Sequence, residues 1–301
     1  MTFDSNGGSE VDSQLLYPGD FVTKPNNPTK GNYVFEGWTL NGVDYDFSTP
    51  VSQSIELYAN FSSGNVYIIW DKSQEIMVFY RDISSPSAGS SITINGVNYT
   101  VDYVWSNFEN WSPSIVTWDN ASIKSEMQAN VKTILFVNQV TATTCYGLFS
   151  GFTALEEVIG IYKMDTSNVG EFSRMFKGCS SLKTLDLTGL NSNSITYGSN
   201  TGNYMFSGCS SLTYLNMGEL TLSGSHNLNN LFEGCTSIET LIIPANFGYE
   251  ATYGVDSSSL VTHAKPRFPP VKLMNSDSGK KYSANARGIP YVGTAVTYIA
   301  Y

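Results

Sequence analysis

The residues that could do chemistry are few and scattered. The chain has only two histidines, His226 and His263, far apart and without the H-E-x-x-H spacing of a zinc site. It carries no G-x-S-x-G elbow, no phosphate-binding loop and no dinucleotide fingerprint. The carboxylate pairs Glu156-Glu157 and Asp44 with Asp46 could be imagined as acid and base, yet nothing in the pattern marks a cleft around them. Asp165 to Asn168, DTSN, has calcium-like residue types, but Asp, Ser and Asn equally satisfy free N–H groups at turns and ahead of a helix near Gly170. No catalytic residue, metal ligand or cofactor is expected, and the chain reads as a non-enzyme.

Three of the four cysteines fall in a periodic pattern. Four stretches nearly copy one another: LFSGFTALEEVIGI from Leu148, MFKGCSSLKTLDL from Met175, MFSGCSSLTYLNM from Met205 and LFEGCTSIETLII from Leu231. Phe149, Phe176, Phe206 and Phe232 mark steps of 27, 30 and 26 residues. Cys179, Cys209 and Cys235 share one repeat position, where the first repeat has Phe152. A metal ligand or catalytic thiol would not tolerate that exchange, so the position wants apolar volume and the thiols should be buried and reduced. Neighbouring strands are close enough that a disulfide between stacked cysteines stays conceivable. Cys145 lies outside the series.

Each unit has an internal logic. Phe172, Met175 and Phe176, spaced i, i+3, i+4, predict one side of a short helix ended at Gly178. Leu182, Leu185 and Leu187 then suit a short strand with one buried face. One such unit cannot bury its inside alone, so stacking and caps are expected. The phrase MDTSNVGEFSRMFKGCSSLKTLDL, residues 164 to 187, resembles the BspA-like leucine-rich repeats of bacterial surface proteins. The resemblance fades in the later units, which lose the DTSNV phrase.

Residues 1 to 62 read as a separate module. YVFEGWTLNGVDYDF should turn at Asn41-Gly42 as a type I′ hairpin, and Ile55, Leu57, Ala59 and Phe61 alternate as a further strand. With TFDSNGGSEV, which reads as a strand clipped at its start, and KPNNPTKGNYVFEGW, the module resembles the Listeria-Bacteroides repeat. That resemblance implies a small β-grasp-like fold used as a spacer in surface proteins.

Residues 66 to 147 read as a β-rich N-terminal cap. VYIIWD pairs with EIMVFYRD, SITINGVNYTV carries a turn at Asn95-Gly96, and SIKSEMQANVKTILF runs from a helix into a strand at Thr133 to Val137. The aromatic strip Tyr103, Trp105, Phe108, Trp111, Trp118 either plugs the hydrophobic end of the repeats or offers a sugar platform. Repeats occupy 148 to 244, and 245 to 301 form a C-terminal cap and tail whose end, IPYVGTAVTYIAY, alternates as a final strand. The expected fold is therefore mainly β with short helices (α+β), a β-grasp-like N-terminal module plus a capped leucine-rich-repeat solenoid.

Composition bounds the partners. The net charge is −10 with 14% charged residues, which disfavours nucleic-acid backbones and anionic membranes. No run is long and apolar enough for direct membrane insertion. The family resemblances imply an extracellular or cell-surface location. Strand side chains between the buried leucines point outward together, giving a candidate binding face of Glu157, Thr184, Asp186, Tyr214, Asn216, Thr240 and Ile242 for a protein or host-surface macromolecule. Trp105 and Trp111 are the second candidate. The alternative function is a structural stalk or phage fibre component with no binding role of its own.

Overall fold

The computed structural model describes residues 1–30, 33–62, 64–82, 85–94, 96–106, 121–195, 202–222, 228, 230–245, 247, 269–284 and 295–301. Its first strands are β1 (Thr2–Asp4), β2 (Val34–Leu40), β3 (Val43–Asp44) and β4 (Glu56–Ser62), which pair in the order β1-β4-β2-β3. The turn between β2 and β3 is the one read from Asn-Gly: Asn41 and Gly42 both have positive φ, 53° and 80°, as a type I′ turn requires. Trp38, Leu57 and Ala59 are buried together, with Phe3 and Phe35 edge-on to Trp38. Among the described residues no helix covers this sheet, so it lacks the helix a β-grasp packs against its sheet.

Next come β5 (Asn65–Asp71), β6 (Ile76–Asp82), the hairpin β7 (Ser91–Ile94) and β8 (Val97–Thr100), β9 (Tyr103–Ser106), helix α1 (Ala121–Asn130), β10 (Thr133–Phe136), β11 (Val140–Thr141), β12 (Glu157–Ile159) and β13 (Met164–Asp165). Five of them form a mixed sheet in the order β12-β10-β6-β5-β9. The run VYIIW is apolar without alternation because both faces of β5 are covered. Tyr67 and Ile69 pack under the β7–β8 hairpin with Tyr99 and Val101, while Val66, Ile68 and Trp70 face the core shared with the repeats.

The repeats contribute β14 (Thr184–Asp186), β15 (Tyr214–Asn216) and β16 (Thr240–Ile243), parallel and in register. The sheet is continued by the antiparallel strands β17 (Leu273–Asn275), β18 (Lys281–Tyr282) and β19 (Val296–Ala300), in the order β14-β15-β16-β19-β17-β18.

The expectation of a capped leucine-rich-repeat solenoid is corrected here. The described residues form five separate open sheets with a single α-helix, and no closed or continuous repeat sheet. The first repeat's strand, β12, pairs with β10 and belongs to the preceding sheet, so the repeat strands are divided between two sheets. Among the described residues the short helix expected in each repeat is also absent. In the second unit Arg174, Phe176 and Gly178 donate their N–H groups to Asn203, Met205 and Ser207 of the next unit, while Met175, Lys177 and Cys179 close local turns. That alternation needs positive φ at Arg174 (60°) and Gly178 (79°), which an α-helix forbids.

Phenylalanines run through this core as a column. Phe79 stacks on Phe136 at 4.5 Å, and Phe149, Phe176, Phe206 and Phe232 follow with ring centroids 5.5, 6.1 and 5.8 Å apart. All four repeat phenylalanines and all four cysteines are buried, and the thiols are free. Cys145 occupies the turn one repeat before Phe172, its N–H bonded to Glu171 O.

The cysteines do have partners. Cys179, Cys209 and Cys235 Sγ each lie 3.1 Å from the carbonyl oxygen of Phe149, Phe176 and Phe206 respectively. A serine at 209 therefore finds an acceptor at Phe176, contrary to the apolar stack expected from sequence. Cys209→Ser should cost about 1 kcal/mol, below the upper range for an unsatisfied buried hydroxyl. A loss of about 3 kcal/mol in denaturant titration would mean that the hydroxyl does not reach Phe176. Burial pushes the Cys235 thiol up to about 12 and the Cys145, Cys179 and Cys209 thiols well above their usual range, so all four should resist alkylation until the chain unfolds.

Candidate functional site

Six of the seven face residues come together. Thr184, Tyr214 and Thr240 are register partners across β14, β15 and β16, and so are Asp186, Asn216 and Ile242. Leu185, Leu215 and Leu241 lie between them and are buried, which holds the two rows on one outer surface. Thr184 and Asp186 are exposed; Tyr214, Asn216, Thr240 and Ile242 are half-buried. Glu157 lies in β12, which belongs to the other sheet, and is exposed, accepting a hydrogen bond from Thr133 Oγ1 at 3.1 Å. β19 widens the surface by setting Ile299 against Thr240 and Thr297 against Ile242. The alternation in the C-terminal segment showed that strand, but not its neighbour.

Two of the polar face residues have local work. Asp186 Oδ1 accepts from Thr188 N at 2.9 Å and from Thr188 Oγ1 at 2.6 Å. Asn216 Oδ1 accepts from Gly218 N at 3.0 Å, and its amide donates to Thr188 Oγ1 at 3.1 Å. Both side chains fold back onto the turn that leaves their strand, as Asp and Asn do where the chain must bend. Asp165 does the same for Ser167 N at 2.9 Å, the turn-capping reading of the DTSN phrase.

The imagined acid and base pairs separate into similar roles. Asp46 accepts from Ser48 N and Ser48 Oγ at 2.8 and 2.6 Å, and the Ser48 hydroxyl and amide hold its carboxyl below the usual range. Glu156 ion-pairs with Lys183, whose hydrogen bond and charge lower the Glu156 carboxyl likewise. Among the described residues no group of three or more His, Cys, Asp or Glu could hold a metal ion. His226 and His263 lie outside the described residues.

The aromatic alternative is visible in part. Trp70, Tyr103 and Trp105 stack in series, 5.5 and 6.0 Å apart, and Lys72 Nζ lies 4.9 Å from the Trp70 ring. Tyr103 and Trp105 are half-buried against the main core, as closing rings would be. Phe108, Trp111 and Trp118 lie outside the described residues.

The four-stranded sheet with its Asn-Gly hairpin and its buried Trp38 coincides with a known domain. Residues 1–60 match the family model of the Listeria-Bacteroides repeat domain. After the Listeria-Bacteroides repeat, residues 121–245 match the family described as "Mycoplasma protein of unknown function, DUF285". That match does not specifically support BspA-like leucine-rich repeats, and its span begins at α1, ahead of the first repeat unit. Among curated proteins, one described as "Putative membrane protein" from Evansella cellulosilytica is 35% identical over 75 residues, 24% of this chain and 11% of that protein. The chain thus spans about a tenth of that relative's length. No solved structure matches. Among the described residues no helix is long and apolar enough to cross a membrane. Together the two family matches support a bacterial, surface-associated repeat protein.

Proposed function

We propose that this surface-associated protein is a non-enzymatic binding module. Its Listeria-Bacteroides repeat serves as spacer, and the outer face of β14, β15 and β16 engages a protein on another surface. The observation that carries this reading is the register of that face: Tyr214 lies centrally between Thr184 and Thr240, with Asn216 and Ile242 alongside. A half-buried tyrosine amid hydroxyls, an amide and an apolar edge has the composition of an interface centre. Binding energy concentrates in such central aromatic positions.

The test uses the intact chain on an immobilised mixture of extracellular-matrix proteins. Tyr214→Ala should lower retention at least tenfold, about 1.4 kcal/mol, while the unfolding midpoint stays put. Asp186 and Asn216 are unsuitable probes because each closes its own turn. Retention unchanged by Tyr214→Ala would remove the site from this face. A folded parent that retains nothing would favour the stalk or fibre role instead.

A further inference from the structure

On the turn side of the repeats, away from the strand face, two residues hold a backbone conformation that glycine would adopt more easily. Arg174 and Tyr204 have φ of 60° and 57°, and the equivalent position in the first repeat is Gly147, at 61°. Left-handed backbone is disfavoured for residues with a Cβ, so these side chains are kept against a local conformational preference. Both take part in ring–cation pairs that link successive repeats. Arg174 reaches back to Tyr146, its Nη1 donating to the Tyr146 hydroxyl at 2.9 Å with the guanidinium 5.6 Å from the ring. Lys177, on the same turn, reaches forward so that its Nζ lies 4.8 Å from the Tyr204 ring.

The result is a row Tyr146, Arg174, Lys177, Tyr204 across three consecutive repeats. Tyr146 and Arg174 are exposed, and Lys177 and Tyr204 half-buried. The ion pairs seen among the described residues, Lys72–Glu126, Lys132–Glu75 and Lys183–Glu156, do not include either cation. A ring orients a cation without cancelling its charge, so this row keeps two positive charges on a chain of net charge −10.

We propose that this row binds an acidic polysaccharide, its carboxylate or sulphate groups meeting Arg174 and Lys177 and its sugar rings lying against Tyr146 and Tyr204. Arg suits this task because its planar fork can hold an acid group through two parallel hydrogen bonds. The site is separate from the strand face proposed above, and either can fail without the other.

The experiment measures retention of the full chain on hyaluronan, dextran sulphate, neutral dextran and poly-glutamate at low and high salt. Retention is expected on hyaluronan, dextran sulphate or both, which tells carboxylate from sulphate, and not on neutral dextran. It should weaken as salt rises. The double variant Arg174→Gly, Lys177→Gln should lose at least tenfold in affinity with an unchanged unfolding midpoint, because Gly147 already fills the equivalent position in the first repeat. Tyr214→Ala should bind the polysaccharide as the parent does. Absence of retention on both acidic polysaccharides, equal retention on poly-glutamate, or undiminished retention by the double variant would each overturn the proposal.

Discussion

Gly218→Ala is expected to destabilise the repeats by about 3 kcal/mol or more, and Gly42→Ala by only about 1 kcal/mol, when the two are compared by denaturant titration. Both glycines have positive φ, 55° and 80°, so both substitutions carry the left-handed penalty of an added Cβ. They differ in what that Cβ meets. At Gly42 nothing lies within 4 Å, whereas at Gly218 the new atom would stand 2.5 Å from Leu187 O and 2.7 Å from Thr188 Cα, both backbone atoms of the preceding repeat. Backbone cannot swing aside as a side chain can, so β14 and β15 would have to part. Gly208→Ala should fall between the two, its Cβ 3.3 Å from Gly178 Cα in the row Gly151, Gly178, Gly208, Gly234. Equal losses at 42 and 218 would mean that the close approach of the repeats contributes nothing.

That glycine row shows what the sequence could and could not disclose. The identity of Gly151, Gly178, Gly208 and Gly234 at one repeat position was legible, and so was a left-handed backbone there, because few other residues adopt it readily. The burial of the repeat cysteines followed from the exchange with Phe152 at one repeat position, and the strand position of Leu185 from its spacing with Leu182 and Leu187. The i, i+3, i+4 spacing predicts a helix, but it is equally satisfied by consecutive turns whose alternate N–H groups bond to the next repeat. Periodicity reports which side is apolar, and it is silent on where the backbone hydrogen bonds go.

Partner choice was likewise invisible. β12 carries the same local pattern as β14, yet it pairs with β10, a strand reached only after α1. This puts Glu157 in a different sheet from the other face residues, although Lys183 N, just ahead of β14, donates to Glu156 O at 3.3 Å. Alternation places Asp186 and Asn216 outside, where they read as outward-pointing recognition groups. Their return to Thr188 and Gly218 depends on the turn that follows, which alternation does not describe.

Asp71 had no functional signal in the sequence, and it supports the second large effect: Asp71→Ala should cost about 3 kcal/mol or more. The side chain is fully buried at the end of β5. Oδ1 accepts from Ser73 Oγ at 2.7 Å and Gln74 N at 3.0 Å, and Oδ2 from Thr100 N at 2.7 Å and Gln74 Nε2 at 2.8 Å. One carboxylate thus ties the β5–β6 turn to the end of β8, and alanine would strand the Gln74 and Thr100 N–H groups. Burial alone would raise the Asp71 pKa, but the hydrogen bonds from Ser73, Thr100 and Gln74 together bring it below the ordinary 3.8. A carboxyl whose pKa is lower folded than unfolded stabilises the fold above the unfolded value and loses that contribution as pH falls through the folded one. The parent should therefore lose stability on acidification from about 3.8 downward, and Asp71→Asn, already weaker at neutral pH, should show a shallower acid dependence over that window. Identical acid profiles for parent and Asp71→Asn would show that the carboxylate charge at this turn contributes nothing to the sheet.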